Sequence, residues 1–564
     1  MHCTEATSSI RLQAAQSLSN VLTAASSIAN AGEKSLQADI QSRIFDCLSE
    51  QASSEGYCST STDVEIRRMA LDSLFNILEH SGQGIECGWN RSFDILRSVT
   101  SASINASEES TDLAETTEAQ VAIMPSASTA VSARHALLVR IAFPSLQLIC
   151  TDFLSALSLH ELELCVKTLA EYGEQGEDLN IAMTASNLLW QVSDHIRSKG
   201  AQSSTGEERS SNEWAQLWML LLRRLQHLAK DERQEVRDGA IQILFRALEV
   251  HGEVLTAEEW DECLWEIVMP ILASDSAQLL GRSPSISSSA STDGSASEHQ
   301  EGTSMLLMDS LAVVLQNFLS SKIIRTPRFA QIYPTLNQYL KCNFLFGSDS
   351  LAASSMRMLE RVARNLVTLD SEEQASSRRS SLEHLWTLWH DLGQQLAAVD
   401  DSSSVSHMAQ PPLEAFMRAV QPLQQWPDVS ASAERSTQIL AIAKCVLTWS
   451  RSPEYQPDID GMTPVQTTVL KVVQSLDTRI DQVAAACLSD LAEYATLAFV
   501  ATFEVSAKPE RRIHGSKITY IALHKVAMPK AASLYLQHEN TPSVFASGAV
   551  AQLIRVCLKP GFPP

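Results

Sequence analysis

Glycine and aromatic side chains are scarce in this chain: 20 glycines among 564 residues, and an aromatic share of 6%. Sheets depend on β-branched and aromatic residues and on glycine-bearing turns. No alternating apolar–polar runs joined by Asn-Gly or Asp-Gly occur, so strand pairs are not expected. Positive charge is in deficit, with 43 Lys and Arg against 66 Asp and Glu and a net charge of −23. That balance argues against non-specific attachment to nucleic acid or to an anionic membrane surface, which reward clustered cations. The 11 cysteines are scattered singly from Cys3 to Cys557 with no CxxC, a pattern of reduced and mostly buried thiols. Long hydrophobic runs are missing too. The opening MHCTEATSSIRLQAAQSL lacks the apolar centre of a signal peptide. The longest uncharged runs, such as YATLAFVATF at 494–503, cover about half a bilayer, so no spanning segment is expected.

Catalytic signatures are also absent. SGQGIECG at 81–88 has neither the spacing of a phosphate-cradling loop nor a strand before it, and reads as a turn between helices. His160 and Glu161 begin like a zinc-protease helix, but Leu164 stands where the second histidine is needed. The 14 histidines form no ligand-spaced cluster, and no GxSxG occurs. The sequence predicts no catalytic residue, no metal ligand and no cofactor.

What is present is a phrase used more than once. EVRDGAIQILFRALEVHG at 235–252 repeats EIRRMALDSLFNILEHSG at 65–82, with ten of eighteen positions identical or exchanging one branched aliphatic for another. On a helix, Ile66, Ala70, Leu74, Ile77 and Leu78 share a face that Leu71 and Phe75 widen; Val236, Ala240, Leu244 and Leu248 do the same, widened by Ile241 and Phe245. So wide a stripe belongs to a helix covered on more than one side. Gly82 and Gly252 stand where a left-handed helix cap is expected. A weaker copy, IRLQAAQSLSNVL, lies at 10–22, and another, RIDQVAAACLSDLA at 479–492, keeps the apolar spacing without the arginine.

The phrase resembles the second helix of a HEAT repeat. The fold class implied is all-α, a HEAT/armadillo-like solenoid of stacked antiparallel helix pairs, because one pair cannot bury its own apolar faces. A chain of this length exceeds a single core, and at about 40–47 residues per pair it holds roughly ten pairs. In that family the arginine pairs with an acidic residue six positions earlier. The resemblance therefore implies a ladder from Arg237 to Asp231 and from Arg11 to Glu5, whereas Ser61 stands at that place before Arg67.

Ser-rich stretches with few large apolar residues, at 101–120, 198–212, 282–302 and 400–412, are expected as disordered loops. They divide the chain into helical repeats over 1–100, a linker over 101–133, helical repeats over 134–274, a linker over 275–303 and a C-terminal helical region over 304–564. Trp214 with Trp218, and Trp386 with Trp389, fall on single helix faces and are expected to pack between helices rather than to anchor a partner. RRSSL at 378–382 offers Ser381 as a possible phosphosite, but Ser380 and Glu383 also make a capping box, and a helix start there is favoured. KPERRIHGSKITYIALHK at 508–525 is the most basic local stretch and reads as a solvated loop.

RIAFPSLQLICTDFLSALSLHELELCVKTLAEYGEQGEDLNIAMTASNLLWQVSDHI at 140–196 resembles a downstream homology segment of the large Arf guanine-nucleotide exchange factors, most tellingly over DLNIAMTASNLLWQVSD at 178–194. It is most similar to the Mon-two (monensin-sensitivity) proteins, which resemble those factors but lack the exchange domain. KITYIALHKVAMPKAASLYLQHE is similar to the family's C-terminal region. The resemblance implies a C-terminal-half fragment of a non-enzymatic scaffold, peripheral at the trans-Golgi network and endosomes. Its implied partners are a Dopey-type protein, an aminophospholipid flippase and Arf-family small GTPases, with membrane association indirect. The alternative is a regulatory helical lobe of a large Arf exchange factor.

Overall fold

Small polar residues open the helices of this protein. Ser158 with Glu161, Thr256 with Glu259 and Thr463 with Gln466 each form a reciprocal capping box, the hydroxyl accepting from the third residue's N–H while that residue's side chain accepts from the cap's own N–H. The computed structural model describes residues 7–29, 34–52, 61–112, 128–203, 208–281, 293–369, 374–398, 408–449, 461–507 and 520–558. Among the described residues there is helix and turn and no strand. The fold is an all-α helical solenoid.

The first of two compact units spans 1–251. Its helices are α1 (Ser8–Ala29), α2 (Lys34–Ala52), α3 (Ser61–Ser81), α4 (Trp89–Asp112), α5 (Ser128–Leu148), α6 (Leu159–Glu174), α7 (Leu179–Ser203), α8 (Glu208–Leu228) and α9 (Gln234–His251). Each packs on the next but one, and most pack on the next in sequence as well, so the odd and even helices form two layers. The second unit spans 252–564. It holds α10 (Ala257–Glu262), α11 (Met269–Gly281), α12 (Asp293–Phe318), α13 (Ile332–Phe346), α14 (Asp349–Val367), α15 (Ala375–Ala397), α16 (Gln410–Gln424), α17 (Pro427–Ser430), α18 (Ala433–Leu447), α19 (Pro464–Gln474), α20 (Asp481–Ala507), α21 (Ile521–Gln537), α22 (Pro542–Ala546) and α23 (Ala549–Cys557). Here α11 packs on α13, α12 on α14 and α14 on α16, and α20 gathers α21, α22 and α23.

The repeated phrase forms α3 and α9, and its stripe is core. Ile66, Ala70, Leu71, Leu74, Ile77 and Leu78 are buried, as are Val236, Ala240, Ile241, Leu244, Phe245 and Leu248. The glycines that end it act differently from the expectation. Neither Gly82 nor Gly252 has a positive φ; among the described glycines that conformation belongs to Gly88 and Gly548. Each instead opens a 3-10 turn and lies flat against aromatic rings. A Cβ on Gly82 would stand 2.3 Å from Phe153, and one on Gly252 would stand 2.7 Å from Phe318 and 2.8 Å from Trp260. The two Phe rings in turn face tryptophans, Trp89–Phe153 at 5.8 Å and Trp260–Phe318 at 5.2 Å between centroids. Both indoles donate to a carbonyl of the turn, Trp89 to Ile85 and Trp260 to Gly252. One Gly–Trp–Phe wedge is thus built twice. The repetition also reaches beyond the phrase: Trp89 and Trp260 are separated by the same number of residues as Trp218 and Trp389, and as Asp178 and Asp349.

The arginine ladder is present with different rungs. Arg237 donates to the backbone carbonyls of Asp231 and Glu232, at 2.9 and 3.1 Å, while the Asp231 carboxylate takes Arg233 at 2.8 Å. Arg233 needs that anchor because it also caps α6, donating to the carbonyls of Gly173 and Gln175. Glu5 lies outside the described residues, and Arg11 reaches across to Asp63 of α3 at 2.6 Å. Arg67 reaches Ser98 of α4. Between even helices the rungs are Arg91–Asp46, Arg97–Glu171 and His227–Glu174. In the second unit, Arg418 of α16 and Arg364 both hold Glu360 of α14.

Several loop expectations give way to helix. Residues 101–112 continue α4, 198–203 continue α7, 208–212 open α8 and 293–302 open α12. Ser, Ala and Glu at these positions are tolerable helix formers, and a helix satisfies its backbone without needing apolar side chains. The remaining parts of the Ser-rich stretches lie outside the described residues. The basic stretch divides likewise: 508–519 lie outside, and from Ile521 it is α21. Windows at 132–156 and 257–281 are long and apolar enough to cross a membrane, contrary to the expectation that none would be. About half of each is buried in the helix packing (50% and 56%), which accounts for their composition as core.

Candidate protein-interaction surface

The 178–194 stretch, the most distinctive in the sequence, opens α7. Asp178 caps it, accepting from the N–H groups of Asn180 and Ile181 and from Arg140 at 2.7 Å. Ala182, Ala185, Leu188, Leu189 and Val192 face inward and are buried. The opposite side carries Leu179, Met183, Asn187 and Asp194, all exposed. Beside it α9 exposes Gln242, Arg246 and Val250.

A chain of rings and guanidinium groups fixes these helices to one another. Arg246 lies 4.3 Å over the Trp190 ring, Trp190 stacks with His251 at 6.1 Å, His251 meets Trp218 edge-on at 6.2 Å, and Arg197 lies 4.8 Å over Trp218. Trp218, fully buried on α8, donates its indole N–H to Ser193 at 2.9 Å. Cation–π contacts of this kind contribute about 0.5–2 kcal/mol each and hold ring orientation. The α7–α9 surface is therefore a pre-organised face that exposes Met183 on α7 and Val250 on α9. Sequence reasoning missed Trp190, Arg246 and His251, although all three stand inside the quoted phrases; the signal was an aromatic or cationic side chain on the outer edge of an otherwise apolar stripe.

The tryptophan pairs pack as expected. Trp218, Trp386 and Trp389 are buried, with Trp389 donating to the Phe416 carbonyl, and Trp214 is half-buried. Ser381 departs from both expectations for it. It is fully buried in the second turn of α15, and its hydroxyl donates to the Ser377 carbonyl. The helix starts at Ala375, so Ser380 is no cap, and a kinase would have to unwind two turns to reach Ser381.

Three histidines of the first unit are held below their ordinary pKa. Burial is the main cause at each; at His135 Glu177 opposes it more than Arg67 adds to it, whereas Lys199 at His195 and Arg197 at His251 outweigh the opposition from Asp194. A folded pKa below the unfolded one means that the unfolded chain binds protons first, so stability is lost as pH falls through about 6.5. The first unit should unfold at lower urea concentration at pH 5.5 than at pH 7.5, followed by hydrogen exchange of α7 and α9; an unchanged midpoint would contradict it. In the second unit, burial raises Asp490 to about 6, which acts in the opposite direction, since its proton is favoured by the folded state.

Chemistry of other kinds is sparse. Among the described residues no three His, Cys, Asp or Glu side chains gather as a metal site. Cys150 and Cys165 approach to 3.7 Å as thiols, and the contact together with burial keeps Cys150 protonated. Two clefts lie in the second unit. One of about 360 Å³ is lined by Ser430, Ser436, Ser475 and Arg479, and one of about 560 Å³ by Thr437, Asp481, Ala485 and Ser489. Neither gathers an acid–base pair with a nucleophile.

The α7–α9 face falls within a recognisable family segment. The family model described as the C-terminal region of Mon2 protein matches residues 151–213 and 208–298. Relatives extend the likeness. A Mon2 homolog of Drosophila melanogaster is 22% identical over 394 residues, 65% of this chain and 21% of that protein. One of Schizosaccharomyces pombe is 29% identical over 236 residues, 39% of this chain and 13% of that protein. Over this segment the chain is similar to Mon2 proteins. It spans only about a fifth or less of the length of these Mon2 relatives. A brefeldin A-inhibited guanine nucleotide-exchange protein of Arabidopsis thaliana is 30% identical over 118 residues, 21% of this chain and 6% of that protein. A circular tandem repeat protein overlays 97% of this chain and 98% of its own at 10% identity, with a TM-score of 0.24 that carries no argument.

Proposed function

We propose that this chain is a non-enzymatic helical-repeat scaffold in vesicle traffic between the trans-Golgi network, endosomes and vacuole, working through protein–protein contacts. The observation that carries this reading is the Mon2 C-terminal match over 151–298, which contains the outer faces of α7 and α9. A solenoid suits such work because it spreads a long, rigid surface from small repeated units. Its partners would be a Dopey-type protein and an aminophospholipid flippase, with Arf-family small GTPases as further candidates. It would act from the cytoplasm, attached to membranes through those partners.

Met183, exposed on α7, is the residue to change. A pull-down from cytosol with the full chain should recover the Dopey-type protein or the flippase, and Met183→Arg should lower recovery about tenfold, the loss of one well-placed apolar contact. Recovery of neither partner by the unaltered chain would defeat the reading. The Arabidopsis match supports a second one, a regulatory lobe of a large Arf exchange factor. An altered rate of Arf nucleotide exchange on adding the chain to an exchange domain would favour it.

A further inference from the structure

Arginine occupies every exposed position along the body of α14. From Leu351 to Leu366 the helix is buried or half-buried except at Arg357, Arg361 and Arg364. Spaced by four and then three residues, the three side chains fall on one face about 10 Å long. This face is not the end of a stack, because α14 lies inside the array with α12 packed on one side and α16 on the other. From α16, Arg418 joins it. Glu360, itself buried, accepts from Arg418 at 2.8 Å and from Arg364, and so fixes both guanidinium groups while Arg364 stays 63% exposed. Arg357 donates to Ser354 at 2.6 Å, and Arg361 meets no acidic side chain among the described residues.

Charge selects the occupant. Four arginines here stand against two carboxylates, Glu360 and Glu414, the latter 3.9 Å from Arg418. Beside them α12 exposes Asp309 and α19 exposes Lys471, which leave the balance unchanged. On a chain of net charge −23 this ridge is a local reversal of sign. Guanidinium groups held side by side repel one another, a cost that an anion laid between them reverses. Their planar forks take carboxylates two-pronged, and arginine clusters are a recurring means of holding acidic peptide motifs. A membrane suits the ridge less well. Among the described residues no large apolar side chain is exposed on α14 or α16 to enter a bilayer, and an anionic sheet would also have to approach the acidic remainder of the chain. An extended peptide touches the ridge alone, and its alternate side chains, about 7 Å apart, lie within the reach of the arginines.

We propose that the α14–α16 ridge of Arg357, Arg361, Arg364 and Arg418 is a docking site for an extended acidic protein segment, held through its carboxylates. Fluorescence anisotropy of the full chain with a labelled polyglutamate peptide should show saturable binding. Arg361→Glu, and independently Arg357→Glu, should lower the affinity about tenfold with helicity and unfolding midpoint unchanged, because both side chains are exposed. Arg43→Glu, the same change of charge at a 77% exposed side chain of the first unit, should leave the affinity as it was. An equal loss in Arg43→Glu would reduce the effect to overall charge and overturn the proposal. Absence of peptide binding overturns it too; if vesicles containing phosphatidylserine then bind the chain and Arg361→Glu releases them, the ridge belongs to a membrane. All components are purified, so neither result turns on the role in vesicle traffic.

Discussion

Trp260→Ala should lower the stability of the second unit by about 3–5 kcal/mol, the usual cost of removing a fully buried tryptophan. The side chain is buried completely, faces Phe318 at 5.2 Å and donates to the Gly252 carbonyl at 3.1 Å. Its loss leaves a cavity beside a ring and takes one of two donors from the Gly252 carbonyl, which keeps the Leu255 N–H. Gly252→Ala should cost about 1–3 kcal/mol by the opposite fault, since the new Cβ enters both rings. The two changes touch the same atoms and should not add. In the double variant the Cβ occupies part of the space that the indole vacates, so the combined loss should be smaller than the sum. Urea denaturation followed by circular dichroism, with all three variants, decides this. Strict additivity would show that glycine and indole are energetically independent, against the wedge described above.

Asp275→Ala should cost about 3 kcal/mol and release the N-terminal half of α12. The carboxylate is buried on α11 and accepts from Gln300 at 2.7 Å and from Ser304 at 2.8 Å, both buried on α12. Ser304 is bound from a second side, because the Tyr339 hydroxyl donates to its carbonyl at 3.1 Å. Removing the acceptor strands two buried donors, at about 1–3 kcal/mol each, part of which the helix recovers by opening to water. Hydrogen exchange should rise over 293–304 and remain low over α14. Unchanged protection of 293–304 would show that α12 is held without Asp275. Gln300 belongs to a Ser-rich stretch that reads as a loop, and this contact supplies the anchoring that its composition lacks.

That contrast runs through the whole chain. The all-α class, the wide stripes of α3 and α9 and the capping residues are local properties. They follow from spacing at three and four residues and from the few side chains that satisfy helix ends. The packing role of Trp218 and Trp389 is legible for the same reason. The functions of Gly82 and Gly252 are not, because the rings that demand a missing Cβ, Phe153 and Phe318, arrive from helices far along the chain. Arg237 shows the same limit. Its phrase is repeated, but its partners are set by how the preceding turn folds, and Arg233 takes the carboxylate that the spacing assigns to Arg237. Ser381 is a sound kinase consensus on paper and a buried hydroxyl in the fold.

The sequence by itself determined that this chain is helical, repetitive and similar to Mon2 proteins over 151–298, since periodicity and family likeness are carried residue by residue. Only the tertiary structure decided which arginine meets which carboxylate and which side chains of 178–194 face outward. Those outcomes depend on contacts between segments distant in sequence, and no local pattern encodes them.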